Sequence, residues 1–297
     1  MPVPAEVPAT GEVQLTVRFR TRADQPWAPK GHLIAWDQVV LRAPARTRVV
    51  APSTSTATAA QVERLLVTPV ELSVWRAPTD NDGFKLMPEL RQRIRVGGQA
   101  TEAWLQAGLD HRPAEELVDH RVERREVPGG VEHHHTVVVP EALADLPRVG
   151  VSFALPGRFS QVRWFGRGPH ENYPDRNTSA MLGIWQQAPD ESPYLVPQEF
   201  GLRTECRWFE LLDPAKGQRV RVDVLQPGGL HCSATHHTAG DLFAASTATE
   251  LHPRQELVVH LDVAHRGLGT ASCGPDVLPQ YRLAAGTYRF AYRLTLA

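Results

Sequence analysis

The sequence predicts a mostly β protein whose strands pair antiparallel in a sandwich or a barrel. Short segments in which apolar and polar residues alternate recur along the chain, and turn-forming residues separate them. The 297 residues include 25 prolines and 22 glycines, which suits many turns between short strands. No regular alternation of strands with helices is visible, which argues against a parallel α/β fold.

The first two predicted strands lie near the N-terminus. In residues 12–20 every second side chain is apolar, which is typical of a strand with one buried face. A turn containing proline separates this segment from residues 33–41, so the two strands are expected to pair. The next segment, residues 43–61, is rich in Pro, Ser, Thr and Ala and weakly patterned, which indicates a linker between two domains.

Strand patterns dominate the chain after this linker. Asp, Asn and Gly at residues 79–83 indicate a turn, and residues 88–96 and 101–109 are typical of short helices. A Gly-Gly turn opens a strand near residue 130. Further strands are predicted at residues 149–155, 161–166, 204–212, 218–225, 256–263 and 287–297.

Composition excludes several classes of protein. Lys and Arg total 32 and Asp and Glu total 33, so no basic surplus points to nucleic acid. The apolar runs are far shorter than the roughly 20 residues of a membrane span, and the N-terminal residues do not resemble a secretory signal. Cys206, Cys232 and Cys273 form an odd, unpatterned set, which favours a reducing cytoplasm over a disulfide framework.

The histidine run at residues 133–135 does not predict a metal site. Adjacent residues of a strand point to opposite faces of the sheet, so the three imidazoles cannot chelate one ion together. No Cys or His partner follows at a zinc-like spacing, and no metal ligands are expected in this chain.

Residues 164–176, WFGRGPHENYPDR, concentrate polar side chains between glycines and prolines. One interpretation is a polar pocket for a hydroxylated ligand. The other is a turn whose arginines and carboxylates tie strands together through charge-assisted hydrogen bonds. The residue types alone leave both interpretations open.

The same stretch resembles a motif of a known family. It is similar to the C-terminal β-sandwich of glycoside hydrolase family 2 β-galactosidases, and residues 75–83, 197–203, 265–275 and 281–294 continue the likeness in the family's order. The resemblance implies a galactose-mutarotase-like sandwich at residues 71–297, a linker at residues 51–70, and the last strands of a preceding immunoglobulin-like domain at residues 1–50.

The resemblance implies a chain without the chemistry of its family. A retaining glycosidase needs two carboxyl groups about 5–5.5 Å apart, and in this family both are glutamates of a TIM barrel upstream of everything present here. No catalytic residue and no cofactor are therefore expected in this chain, because the family's magnesium and sodium also bind upstream. The implied partners are a β-galactoside or galactose and the catalytic barrel, in a homo- or hetero-oligomer, with no nucleic acid and no membrane.

The resemblance also assigns residues. Substrate contact is implied for Asp80, Asn81, Asp82 and Gly83, which open a loop over the sugar pocket, and for Ser272 and Cys273 in a late loop. The family often carries a tryptophan in that late loop, and Cys273, at the matching position, cannot supply an aromatic face for the sugar. The residues implied to hold the motif together are Arg76, Glu171, Asp175 and Arg176.

Three other functions stay open at this level. The chain could be a stand-alone carbohydrate-binding module, or a non-functional remnant. It could also be an epimerase-like enzyme in which His170 with Glu171, or His265, transfers protons. The chain is shorter than the family before residue 72 and between residues 135 and 146, which is expected to expose strand edges or apolar surface.

Overall fold

The computed structural model describes residues 11–43, 55–85 and 100–297. The chain divides into two compact units, residues 1–49 and residues 50–297. In the first unit β1 (Val13–Arg20) and β2 (Leu33–Arg42) form an antiparallel ribbon, which confirms the predicted pairing. Register places Phe19 opposite Ala35 and Leu15 opposite Val39, so these side chains share one face of the ribbon.

That ribbon face is apolar and open. Phe19 is 58% exposed and Val39 is 48% exposed. A two-stranded ribbon buries too little surface to be stable alone, and apolar side chains on one face normally pack against further strands. The ribbon therefore has the character of one part of a larger sandwich.

The second unit is built from two antiparallel sheets, which confirms the predicted sandwich. The first sheet contains β4 (Asp119–Val127), β5 (Gly130–Val139), β7 (Gln161–Gly168), β8 (Met181–Gln187), β10 (Trp208–Asp213), β11 (Gln218–Val224) and β14 (Gly286–Leu296), in the order β4-β5-β14-β11-β10-β7-β8. The second sheet contains β3 (Thr68–Ser73), β6 (Arg148–Pro156), β9 (Arg203–Cys206), β12 (Leu230–Thr235) and β13 (Glu256–His265), in the order β3-β6-β13-β12-β9.

The core lies between these two sheets and follows the alternation of the strands. On β6, Val151, Phe153 and Leu155 are buried in it, and Trp164 of β7 and Phe209 of β10 meet them from the other sheet. The alternate residues of β6 and β13 point away from the core, because neighbouring residues of a strand face opposite sides. This outer face of the second sheet carries polar side chains.

Part of the predicted linker at residues 51–70 belongs to the sandwich. Residues Ala59–Leu65 form helix α1, where Thr58 and Gln61 make a reciprocal capping box and Val62 is fully buried. Strand β3 then begins at Thr68. The composition of this segment resembles a linker, but two apolar side chains on one face of a capped helix suffice to anchor it.

Two further short helices complete the described fold. Helix α2 (Ala100–Gln106) corresponds to the predicted helix at 101–109, whereas the predicted helix at 88–96 lies outside the described residues. Helix α3 is Ala239–Ala244. Within the described ranges no helix is long and apolar enough to cross a membrane.

Strand edges are exposed in both sheets, as the short segments of the sequence predicted. Among the described strands, β3 pairs only with β6, and β4 only with β5. On the edge strand β4, Val122 is 45% exposed. Both sheets nevertheless enclose a continuous core. The short connections therefore leave strand edges exposed but do not interrupt the core.

Candidate functional site

Asp82 is the centre of the turn at residues 79–83. Its carboxylate accepts hydrogen bonds from Arg76 Nη1 (2.7 Å) and Nη2 (3.1 Å), and from Arg266 Nη1 (3.1 Å). The backbone N–H and the hydroxyl of Thr79 also donate to it, each at 2.8 Å. The side chains of Asp82, Arg76 and Arg266 are fully buried. One carboxylate thus pairs with two arginines inside the fold.

Arg266 extends this ion cluster to two more carboxylates. Its Nε donates to Asp145 Oδ1 at 2.8 Å, and its Nη2 donates to Asp276 Oδ1 at 3.1 Å. The guanidinium groups of Arg76 and Arg266 lie 5.3 Å and 5.8 Å from the ring of Trp104. The turn is therefore held in place by residues that are far away in the sequence. Asp82, which the resemblance assigned to substrate contact, is not exposed to solvent in this structure, and its carboxylate is bonded to Arg76, Arg266 and Thr79.

Asn81 ties the turn to a second loop. Its Nδ2 donates to the carbonyl of Gly269 at 2.8 Å, and its Oδ1 accepts the backbone N–H of Ser272 at 3.0 Å and the Ser272 hydroxyl at 2.6 Å. Residues 79–83 and 268–273 are called the paired loops below. Cys273 is exposed at the end of the second loop.

The paired loops bring together the residues that the resemblance assigned to substrate. Asp80 is exposed, and its backbone N–H donates to Gln198 Oε1 at 3.0 Å. Gly83 has a φ of +145°, a backbone angle that favours glycine and lets the chain leave the turn. Asp80, Asn81, Ser272 and Cys273 form one polar rim at this end of the sandwich.

Asp175 supports the second loop from the stretch 164–176. Its carboxylate accepts the backbone N–H groups of Leu268 (2.9 Å) and Gly269 (2.7 Å). A Cβ atom at position 267 would lie 2.6 Å from Asp175 Cγ, so the close approach requires Gly267. The predicted structural role of Asp175 thus takes the form of a carboxylate that accepts two main-chain donors, and Arg176 is not its partner.

Glu171 closes the remainder of the same stretch. Its Oε1 accepts hydrogen bonds from Arg176 Nη2 (2.7 Å) and the Tyr194 hydroxyl (2.9 Å), and its Oε2 accepts the backbone N–H of Gly201 (2.8 Å). His170, which was the alternative partner for proton transfer, is exposed and contacts Ser179 Oγ at 3.1 Å. The contacts of Glu171 are those of a residue that holds a turn.

Sequence reasoning named His265 but did not predict the buried polar cluster that surrounds it on the second sheet. Arg148 Nη2 donates to Glu199 Oε1 at 2.7 Å, and Arg148 Nε lies 3.2 Å from Asp262 Oδ2. Burial opposes ionisation, but Arg148 outweighs it and lowers the pKa of Glu199 to about 2. His265 Nε2 lies 3.8 Å from Glu199 Oε1, and burial lowers the pKa of His265 to about 4.

His265 was the other candidate for proton transfer. It is only 3% exposed, and its Nδ1 donates to the carbonyl of Arg266 at 2.9 Å. This arrangement orients a neutral imidazole against the chain that carries Arg266, and so links the buried polar cluster to the ion cluster around Asp82.

Replacing Arg176 with alanine is expected to lower the melting midpoint by roughly 1–3 °C. The guanidinium pairs with Glu171 and lies 5.2 Å from the Tyr173 ring, but its side chain is 51% exposed, so water screens the ion pair. Calorimetry would compare Arg176→Ala with Arg125→Ala, which removes an exposed ion pair to Glu123 and should change nothing. Equal midpoints for the Arg176 variant and the parent would contradict a structural role.

Comparison with known families decides the relationship of the chain. The family model described as beta galactosidase small chain matches residues 52–294. The chain belongs to the beta galactosidase small chain family. A second family model, described as beta-galactosidase, domain 4, matches residues 1–42, which include the β1–β2 ribbon.

The small-chain match is accompanied by longer relatives. A beta-galactosidase of Arthrobacter sp. (strain B7) is 32% identical, with 97% of this chain matched to 34% of the relative. A beta-galactosidase of Vibrio cholerae is 37% identical over 56% of this chain and 15% of its own length. This chain thus spans about a third of the Arthrobacter relative. That alignment has 345 positions, more than the 297 residues of this chain, which agrees with the short segments noted above.

A protein of solved structure also matches part of this chain. It is a galactose mutarotase-like protein from Lactobacillus casei, with a TM-score of 0.30 and 15% identity over 63% of this chain and 68% of its own. No group of His, Cys, Asp and Glu in the described part of the small chain is arranged to hold a metal ion.

Sequence reasoning missed the partners of Asp82 and Asn81 rather than the residues themselves. Arg266 lies inside the stretch 265–275 that carried the resemblance, but nothing in its spacing indicated a contact with Asp82. Asp145 and Trp104 lie outside the stretches that carried the resemblance, and no spacing indicated their contact with Arg266. Only the folded chain shows that these positions surround one turn.

Proposed function

We propose that this chain is the non-catalytic C-terminal part of a glycoside hydrolase family 2 β-galactosidase. In this proposal it completes the pocket of a TIM-barrel part that cleaves terminal β-D-galactosides such as lactose in the cytoplasm. The paired loops carry the proposal, because they place a polar, partly exposed rim on a rigid support. Family membership and the names of the longer relatives support it.

The chemistry of the proposed enzyme divides between two parts. Retaining hydrolysis needs a nucleophilic carboxylate and an acid/base carboxyl about 5–5.5 Å apart. The proposal assigns both to glutamates of the barrel, with magnesium and sodium, and the described residues of this chain do not form a site that fits a metal. The contribution of this chain is to hold its loops at the mouth of the pocket, where they position the sugar and exclude water.

The ion cluster explains how the loops can do this. Binding residues must be held within a fraction of an ångström, and their support has to be packed and fully hydrogen-bonded. Asp82 fixes the first loop to the core, Asp175 fixes the second, and Asn81 joins the two. The exposed groups Asp80 and Cys273 then face outward from a rigid base. A thiol at Cys273 offers no aromatic face, so sugar contacts here rest on polar groups and shape.

The β1–β2 ribbon supports an attachment to an upstream part. Its residues match the domain that precedes the small chain in these enzymes, and its open face carries Phe19 and Val39. The remaining strands of an immunoglobulin-like domain, in the same polypeptide or in a partner chain, would cover that face. A neighbouring gene that encodes the barrel would favour a partner chain.

The test is a chimera with the Arthrobacter relative. This chain would replace the matching C-terminal third of that enzyme, and hydrolysis of a chromogenic β-galactoside would be measured against the truncated enzyme and the isolated chain. We expect no turnover by the isolated chain and at least about tenfold more turnover by the chimera than by the truncated enzyme.

A substitution in the paired loops sharpens this test. Asn81→Ala in the chimera separates the paired loops and should reduce kcat/KM by about tenfold, whereas Asn177→Ala makes the same change at a side chain outside the paired loops. Turnover by the isolated chain that disappears on replacing one of its own carboxylates would overturn the proposal. A truncated enzyme as active as the chimera would do so as well.

A further inference from the structure

A cavity lies on the outer face of the second sheet. Its volume is about 240 Å³, and it opens between β3, β6, β13 and the start of α3. The lining shares no residue with the paired loops. The lining residues on which the argument below depends are Ser73, Trp75, Arg112, Ser152, Gly240 and His260.

Strand register produces the floor of this cavity. Ser152 on β6 lies directly opposite His260 on β13, and Ser73 on β3 lies opposite Gly150, the next outward-facing residue of β6. Side chains of these positions share one face, because residues two apart on a strand point the same way. Two hydroxyls and an imidazole on three adjacent strands therefore form a polar floor.

A fixed aromatic side chain forms one wall. Trp75 packs edge-to-face against Trp104 and Phe243, with ring centroids 6.2 Å and 5.5 Å apart, so its ring is held in place. Its Nε1 has no hydrogen-bond partner among the described residues. The ring of Trp75 stands next to the polar floor, which is the arrangement that suits a ligand with both C–H and O–H faces.

The charge of the lining excludes some ligands. Arg112 stands at the rim with a side chain 44% exposed, and no Asp or Glu of the described ranges lines the cavity. Burial, reinforced by the Arg148 charge, lowers the pKa of His260, so this imidazole is neutral near pH 7. A neutral imidazole and two hydroxyls both donate and accept hydrogen bonds, whereas nothing here balances a cation.

We propose that this cavity binds a single hydroxylated ring, a monosaccharide, at a site separate from the paired loops. The volume lies below that of pockets for drug-sized ligands and suits one ring. The site holds whether or not the chain completes a galactosidase pocket, because none of its residues takes part in that function.

Gly240 offers a way to close the cavity without disturbing the fold. A Cβ atom built at this position meets only Thr238 Oγ1, at the ordinary distance of 3.6 Å. Gly240 is exposed and lies in α3, where a side chain is tolerated better than glycine. Gly240→Phe should place a ring over the mouth, and Gly240→Ala is the matched control that leaves the mouth open.

The experiment is an NMR titration of the whole, isotopically labelled chain with D-galactose, D-glucose and, as a ring with one hydroxyl, cyclohexanol. The indole N–H of Trp75, assigned with Trp75→Phe, is expected to shift saturably with at least one sugar and not with cyclohexanol. Gly240→Phe should raise the Kd at least tenfold, Gly240→Ala should change it less than twofold, and Ser152→Ala should raise it several-fold.

Two outcomes would overturn the site. One is the lack of a saturable shift with either sugar, and the other is a Kd that is unchanged in Gly240→Phe. The side-chain amide of Asn81 reports on the paired loops in the same spectra. Shifts at Asn81 without shifts at Trp75 would place the sugar at the proposed galactosidase rim instead, and so would count against this cavity alone.

Discussion

Asp82→Ala is expected to destabilise the sandwich by about 3–5 kcal/mol, the usual cost of leaving a buried charge without its partner. The substitution leaves Arg76 without its paired carboxylate and Arg266 with only the partly exposed Asp145 and Asp276. It also frees the hydroxyl and the backbone N–H of Thr79 inside the fold. Urea unfolding followed by fluorescence would measure the loss.

Asp80→Ala is the matched control for this prediction. It removes a carboxylate two residues away, at an exposed position where only the backbone N–H makes the contact to Gln198. We expect a change within about 0.5 kcal/mol for this variant. If both variants unfold at the same urea concentration, the ion cluster does not support the turn.

Acidification from pH 7 to pH 4 is expected to destabilise the protein strongly through His133 and His135. Both imidazoles are buried with their planes parallel to Tyr292, and His135 Nδ1 lies 3.0 Å from His120 Nε2. Burial, with the nearby charge of Arg124, lowers the pKa of His133 to about 4. Burial, with the nearby His120, lowers the pKa of His135 to about 3.

The direction of the effect follows from proton uptake. In the unfolded chain these imidazoles take up protons near their ordinary pKa of about 6.5. In the folded protein the imidazole of His133 stays neutral down to about pH 4, and that of His135 down to about pH 3. The unfolded state therefore binds more protons as the pH falls. The stabilisation is complete above about pH 6.5 and decreases below it, by on the order of 2–3 kcal/mol for each histidine at pH 4.

A variant separates this contribution from that of other titrating groups. His135→Phe keeps an aromatic ring beside Phe290, whose centroid lies 4.6 Å away, and removes one titrating imidazole. The free energy of unfolding of this variant should fall less between pH 7 and pH 4 than that of the parent. A steeper slope for His135→Phe would contradict the prediction.

The sequence was a good guide to strands and a poor guide to partners. Alternation of period two is a local property, so it located β1, β2 and the long strands of the sandwich. Helix α1 escaped because its evidence is two buried side chains in a segment of linker-like composition. The role of Asp82 could not be predicted, since its residue type suits a turn, a ligand contact and a buried ion pair equally well.

The site shows the same division between local and distant information. The turn at residues 79–83 is evident from its Asp, Asn and Gly content, but its exposed and buried members are not. Asn81 and Ser272 are 191 residues apart, and no spacing in a single sequence connects them. The cavity above Ser152 and His260 was equally invisible, because it depends on the register of three strands.

The bond between Asp82 and Arg266 also sets an order of events when the chain folds. The two residues are 184 positions apart, so closing this contact demands a long loop whose entropy must be overcome first. During synthesis the turn at 79–83 has already left the ribosome while Arg266 is still to be made. Local hairpins such as β4–β5 can form in that interval, but the ion cluster cannot. The two loops at the rim therefore cannot take their final shape until Arg266 has been made.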